Sequence, residues 1–288
     1  MMRLAATVAL TLLAGCASGR IAAPPAKLAL DPFYVKSIDA GGIPISSSAQ
    51  VPDRALRAAR SIVMEMLSHR PDLRRYLVAA GQRVAVMGVD EQTLDLPEQR
   101  DWKKPAPDDP RLTMCERKHY AERIGRLTDR DYWNQRARGM GGILTSAATE
   151  NLLGLQSSRY FGENIFVHEF AHAILDAIET IDPTLYRAIV DAYADAMKRG
   201  RWAGEYGATT VHEYWAEGTQ FWFESNMLAV IDGRRILSAD DLASYDPGLA
   251  VALRQVFGDR HRLRADRFWR HAARVPASGP PSSTAEEC

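Results

Sequence analysis

Cysteine, net charge and long apolar runs are all scarce in this sequence. Three cysteines occur in 288 residues, so at most one intramolecular disulfide can form. Thirty-six Lys and Arg balance thirty-six Asp and Glu, leaving no formal net charge. No basic stripe is interleaved with aromatics, which excludes nucleic acid as the expected partner. The basic clusters at 70–75 and 260–267 read as solvated helix faces. The apolar run from Leu4 to Leu13 is too short to cross a bilayer. No internal repeat is present, so a solenoid is not expected. What is present is a composition 46% hydrophobic and 25% charged. That is enough for a packed core and argues against global disorder. The length suits one domain with tails.

The N-terminus reads as an export signal: Arg3, then the short apolar run, then small residues. Its end, Leu13-Ala-Gly-Cys16, resembles a bacterial lipobox. The resemblance implies cleavage before Cys16, acylation of that cysteine and a lipid anchor to the membrane. An ordinary signal with a chance cysteine is the alternative. Ala17 after the cysteine leans toward the outer membrane; otherwise a periplasmic or secreted location follows. The expected organisation is a signal peptide over 1–15 and a lipidated cysteine with tether over 16–50. A folded domain over 51–275 and a disordered tail over 276–288 complete it. Cys115 and Cys288 could pair, or Cys288 could remain a free thiol in a loose tail. Cys115 and His119 make two potential ligands without a third, and read as structural.

Periodicity makes the domain α+β and mostly helical. Leu56, Ile62, Val63, Met66 and Leu67 recur at near-helical spacing behind Pro52 and Asp53. Arg83–Val89 and Gly141–Ala148 read as strands, the first short and β-branched. Between them, 90–120 is polar and proline-rich, a long excursion over one face. The segment 159–178 reads as a helix apolar almost all round, and so central to the domain. Helices are also expected over 182–200, 209–226 and 246–258, the first and last opening on proline and closing on glycine.

The central helix carries the chemistry. In "HEFAH", His168 and His172 are four apart, so their Cβ atoms project from one face about 5–6 Å apart. Both imidazoles can then reach one zinc ion, with bonds near 2.0–2.1 Å expected. Glu169 lies about 100° around the helix, beside such an ion, where it can take a proton from water and return it to a leaving amine. The alternative is a buried helix whose two neutral histidines bond each other and the backbone. That is costly in an apolar setting, because each polar atom must be satisfied. A catalytic zinc ion needs a third protein ligand. Glu213 and Glu217 are again four apart, on an aromatic helix with Tyr214, Trp215, Phe221, Trp222 and Phe223. One can ligate; the other can accept the second N–H of a ligating histidine. His212 points about 100° away and is left out.

Together, "HEFAH" and "YGATTVHEYWAE" resemble the catalytic core of the anthrax-lethal-factor-like zinc metallopeptidases, to which the Pro-Pro endopeptidases are similar. The Mlc-titration-factor peptidases share a similar arrangement. The match covers about sixty residues, 164–223. It implies a zincin-like domain with a small sheet packed on the active-site helix, and zinc held by His168, His172 and Glu213. Glu169 becomes the general base, Tyr206 the hydroxyl that stabilises the oxyanion, and Glu217 the hydrogen-bond partner behind the ligands. The implied activity is hydrolysis of a peptide or protein substrate. An edge strand is expected beside the metal, with Gly141–Ala148 the candidate. A zinc-binding envelope lipoprotein without catalysis is the competing function.

Overall fold

The structure, a computed structural model, describes residues 19–288. The expected signal peptide and Cys16 lie outside the described residues. A four-stranded sheet runs in the order β1 (Lys36–Ala40), β2 (Ile43–Ser47), β3 (Arg83–Met87), β4 (Leu144–Ala148). β1 and β2 are antiparallel; β2–β3 and β3–β4 are parallel. The parallel step from β2 to β3 is made through α1 (Asp53–Met66) and α2 (Pro71–Ala79). A polar excursion follows, carrying α3 (Met114–Lys118) and α4 (Asp129–Arg136). After β4 come α5 (Thr149–Leu152), the central α6 (Ile165–Ile181), α7 (Pro183–Lys198) and α8 (Val211–Trp222). A short hairpin, β5 (Ala229–Ile231) and β6 (Arg234–Ile236), precedes α9 (Ala239–Tyr245) and α10 (Pro247–Phe257). The mostly helical α+β expectation matches this arrangement. Among the described residues no helix is long and apolar enough to cross a membrane.

One apolar cluster joins sheet to helices. Ile38, Ile45, Val84 and Val86 from the strands meet Leu56, Ile62, Phe166, Phe170 and Ile174. Burying side chains of this size is worth about 1.5–3 kcal/mol each before ordering costs. α6 lies in this cluster, as its nearly all-round apolarity requires. It starts at Ile165 rather than at 159, because Asn164 caps it by accepting from the Val167 N–H.

Two sequence expectations need correction, and one element went unread. Residues 36–47 lie in the stretch read as tether, yet they form half of the main sheet. The glycines that read as linker, Gly41 and Gly42, are its hairpin turn, with φ of 67° and 100°. The folded unit therefore begins well before residue 51. The tail 276–288 was expected to be disordered, and its composition cannot build a core. It is instead held from outside, by backbone hydrogen bonds to Val230 and Gly204 and by a Cys115–Cys288 disulfide. The hairpin β5–β6 was not expected at all, because its strands span three residues each; its Asp232-Gly233 turn, both at positive φ, was the available signal.

Candidate metal centre

α6 and α8 cross so that the polar faces of two apolar helices meet. Trp215 Nε1 donates to the Ala171 carbonyl at 3.1 Å, tying the helices together beside the site. Thr210 caps α8 by accepting from the Glu213 N–H. Just before it, a 3-10 turn (Tyr206–Ala208) turns the chain into the helix. The seven-residue interval between Tyr206 and Glu213 is thus one tight turn, a cap and half a helical turn.

His168, His172 and Glu213 converge: each offers a ligand atom, and these atoms lie within 4.8 Å of one another. His168 Nε2 is 2.9 Å and His172 Nε2 3.6 Å from Glu213 Oε2. Ligand atoms around a tetrahedral zinc with bonds near 2.0–2.1 Å are about 3.3 Å apart, so the triad needs only small adjustment to accept one. The surrounding charge also suits a dication. Glu163, Glu169, Glu213 and Glu217 all face His168. Burial pushes the Glu163 and Glu169 carboxyls up to about 7 and raises Glu217, each further raised by a neighbouring carboxylate.

The two imidazoles differ. Burial disfavours charge on both, and at His172 it prevails, lowering the pKa to about 4. At His168 burial is outweighed by the hydrogen bond to Glu213 and the charges of Glu213, Glu169 and Glu217, and the pKa rises to about 10. Glu213 is held down to about 2, because that hydrogen bond and both imidazoles outweigh its burial.

Behind the triad stands a residue that the sequence reading missed. Gln220 Oε1 is 2.9 Å from His168 Nδ1, while its Nε2 donates to the Asn164 carbonyl at 3.2 Å. The second bond fixes which way the amide faces, so Oε1 accepts from Nδ1–H, and Nε2, whose proton is donated to Glu213, is the nitrogen that would ligate once a metal displaces that proton. Glu217, expected in this role, is farther away: its Oε1 is 3.5 Å from His168 Nδ1, and its Oε2 accepts from Asn226 Nδ2 at 2.7 Å. Gln220 is one turn beyond Glu217 on the same face of α8, so the i, i+3, i+4 spacing could have shown it.

Glu169 faces a cavity of about 850 Å³, whose walls include Gly139–Gly142, Tyr132, Arg136, Tyr160 and the triad. The Gly141 backbone N–H faces the Glu169 carboxyl. Gly139 and Gly141 are required by closeness: a Cβ on Gly141 would lie 2.8 Å from the His172 ring, and one on Gly139 3.1 Å from Glu169 Cγ. Tyr206 is 36% exposed. Its ring stacks on His168 with centroids 6.3 Å apart, and its hydroxyl lies beside Glu213. Burial, then the Glu213 charge, raises its pKa well above the usual value, so it remains a donor at neutral pH. His212, set aside on angular grounds, also lines the cavity, stacked on His172 at 6.2 Å with Asp176 at 3.8 Å.

β4 is the edge strand of the sheet, and part of its free edge is already used. Met140 and Ser146 form an antiparallel bridge, so 138–142 lies between β4 and the His168–His172–Glu213 triad. Arg138 anchors this segment through a buried pair with Glu150 and by donating to the Glu91 carbonyl.

No protein-family model matches the chain, and no curated protein matches it in sequence. Among solved structures it is similar to a Pro-Pro endopeptidase from Paenibacillus alvei, at 15% identity and a TM-score of 0.39. The match covers 70% of this chain and 91% of that one. Likeness at that level does not establish a shared fold, and the functional reading stands on the site itself.

Proposed function

We propose that the protein is a zinc-dependent peptidase with a zincin-like domain, anchored by lipid at Cys16 in a bacterial cell envelope. One observation carries the reading: an acid–base carboxyl and a hydroxyl donor flank a triad of two imidazoles and one carboxylate at the wall of a single cleft. A structural zinc site closes its fourth position with protein, whereas three ligands leave room for substrate or water. His168, His172 and Glu213 would hold the ion. When bound, zinc supplies Lewis acidity to a carbonyl oxygen and to the attacking water.

The remaining work falls to the chain. Glu169 takes a proton from the water as its oxygen bonds to the carbonyl carbon, and delivers it to the nitrogen as the C–N bond breaks. Tyr206 donates its O–H to the carbonyl oxygen as negative charge grows there. Gln220 keeps His168 in the tautomer that presents Nε2 to the ion. The glycine segment 139–142 lets an extended peptide backbone approach.

A diverse peptide library read by mass spectrometry tests this. Wild-type protein should cleave, chelator should stop it, and Glu169→Gln should lose activity while binding the same amount of zinc. Tyr206→Phe should keep zinc and lower kcat about 10²–10³-fold, the worth of one oxyanion donor. Equal activity in wild type and Glu169→Gln, at equal zinc content, rejects catalysis and leaves the non-catalytic zinc-binding lipoprotein. The Cys115–Cys288 disulfide favours an oxidising compartment. Radiolabelled palmitate should enter the full-length protein in bacteria and fail to enter Cys16→Ser; labelling of both equally removes the anchor.

A further inference from the structure

The segment Ser283–Cys288 takes no part in the chemistry above, yet it is fastened to both walls of the cleft. On one side it grips the loop that carries Tyr206. Glu286 N donates to the Gly204 carbonyl at 2.7 Å, and Thr284 Oγ1 donates to Glu205 Oε1 at 2.6 Å. Gly204, at φ 76°, is packed so tightly that a Cβ there would lie 2.6 Å from Ala285 Cβ. The segment is itself anchored to β5, with Thr284 N donating to the Val230 carbonyl and Val230 N to Thr284 Oγ1. On the other side it is joined to α3 by the Cys115–Cys288 disulfide. Glu286 pairs there with Arg123 at 3.4 Å and accepts from the Cys115 N–H at 3.4 Å. Leu112, Thr113, Tyr206 and Glu286 border both the catalytic cavity and a neighbouring one of about 910 Å³.

The loop's other holds lie at its ends, where the Tyr193 hydroxyl donates to the Ala208 carbonyl at 2.8 Å. Trp202 roots its base, buried, with its N–H donating to the Tyr245 hydroxyl and its Nε1 to Asp246. At Gly204 and Glu205 the tail is the neighbour that holds the backbone leading into Tyr206, whose ring then stacks on His168. We propose that Ser283–Cys288, closed by the Cys115–Cys288 cross-link, is a positioning strap that holds the Tyr206 hydroxyl at the place where the oxyanion forms. The proposal rests on the peptidase reading. The strap touches neither ligand nor base, so releasing it should leave zinc in place and weaken only what Tyr206 contributes.

The test uses the full chain with Cys288→Ser, Thr284→Val and a deletion of 283–288, since thiol reductants would themselves bind zinc. Each variant is checked for zinc content and for a cooperative melt. The expected result is a fall in kcat of at least fivefold for Cys288→Ser and more for the deletion, with KM within twofold. In a Tyr206→Phe background the same changes should cost nothing further, because the hydroxyl they position is gone. A strap that merely supports the fold would instead lower activity by the same factor in both backgrounds, and that result overturns the proposal, as does wild-type kcat in the deletion. Amide hydrogen exchange gives a readout independent of catalysis. Exchange across 204–209 should quicken when the strap is released, while 165–175 stays protected. If no variant, wild type included, cleaves peptide, the peptidase reading fails by itself, and unchanged exchange at 204–209 would still refute the strap.

Discussion

At the scale of single residues, the site is a competition between burial and charge. Glu169 and His172 are governed by burial, and His168 and Glu213 by each other. Gln220 shows how much depends on an uncharged group. Its side chain spans His168 Nδ1 and the carbonyl at the start of α6, so it locks both a tautomer and a ring orientation. Partners of this kind typically contribute 10–100-fold to metal affinity. Gln220→Leu should therefore weaken zinc binding by about that factor in competition with a chromophoric chelator. An unchanged affinity would mean that Glu217, at 3.5 Å, already serves His168.

At the scale of elements, the site depends on how closely α8 can lie against its neighbours. Gly218, on the face of α8 away from the triad, meets α10: a Cβ there would fall 2.5 Å from Leu249 Cδ2 and 3.0 Å from its Cγ. Leu249 is fully buried, so its side chain can yield only by displacing packed neighbours. Gly218→Ala would gain up to about 1 kcal/mol of helix propensity and lose about 1–3 kcal/mol to overpacking. Net destabilisation is expected, measured as a lower urea midpoint at constant m-value. A raised midpoint would show that α10 yields. The helices themselves were legible because their signals are local: Pro183 and Pro247 at N-termini, Gly200 and Gly258 just past C-termini, apolar residues at helical period. The β1–β2 hairpin was not, because its two glycines have the composition of a linker and act as a turn only when Ile38, Ile43 and Ile45 find a core.

At the scale of the whole molecule, α6 is tied to the C-terminal region through Asp266. Its Oδ1 accepts from Asn164 Nδ2 at 2.8 Å and from the Phe268 N–H at 2.9 Å, while Oδ2 has no partner among the described residues. Burial raises this carboxyl from 3.8 to about 6, against the opposing pull of those two bonds and of Arg274. The sign follows from proton counting. Between about pH 4 and pH 6 the folded state holds a proton that the unfolded state has released, so stability falls as pH rises through that window. A rise of that size corresponds to about 3 kcal/mol. Asp266→Asn should remove this fall: its urea-derived stability should lose ground to wild type toward pH 4 and match or exceed it above pH 6. Parallel curves for the two proteins over pH 4–8 would refute the assignment.

The sequence by itself determined what lies within one helical turn. His168 and His172 share a face, with Glu169 about 100° to one side, because covalent geometry and the 3.6-residue repeat leave no alternative, and Glu213, Glu217 and Gln220 share another face for the same reason. That these two faces meet, with Gln220 rather than Glu217 nearest His168 Nδ1, was decided only by packing. So was the ordering of residues 283–288, whose composition favours disorder until Gly204, Val230 and Cys115 supply partners. Hydrogen bonds and cross-links between residues more than fifty positions apart have no local signature, since their energy is released only after the intervening chain has folded.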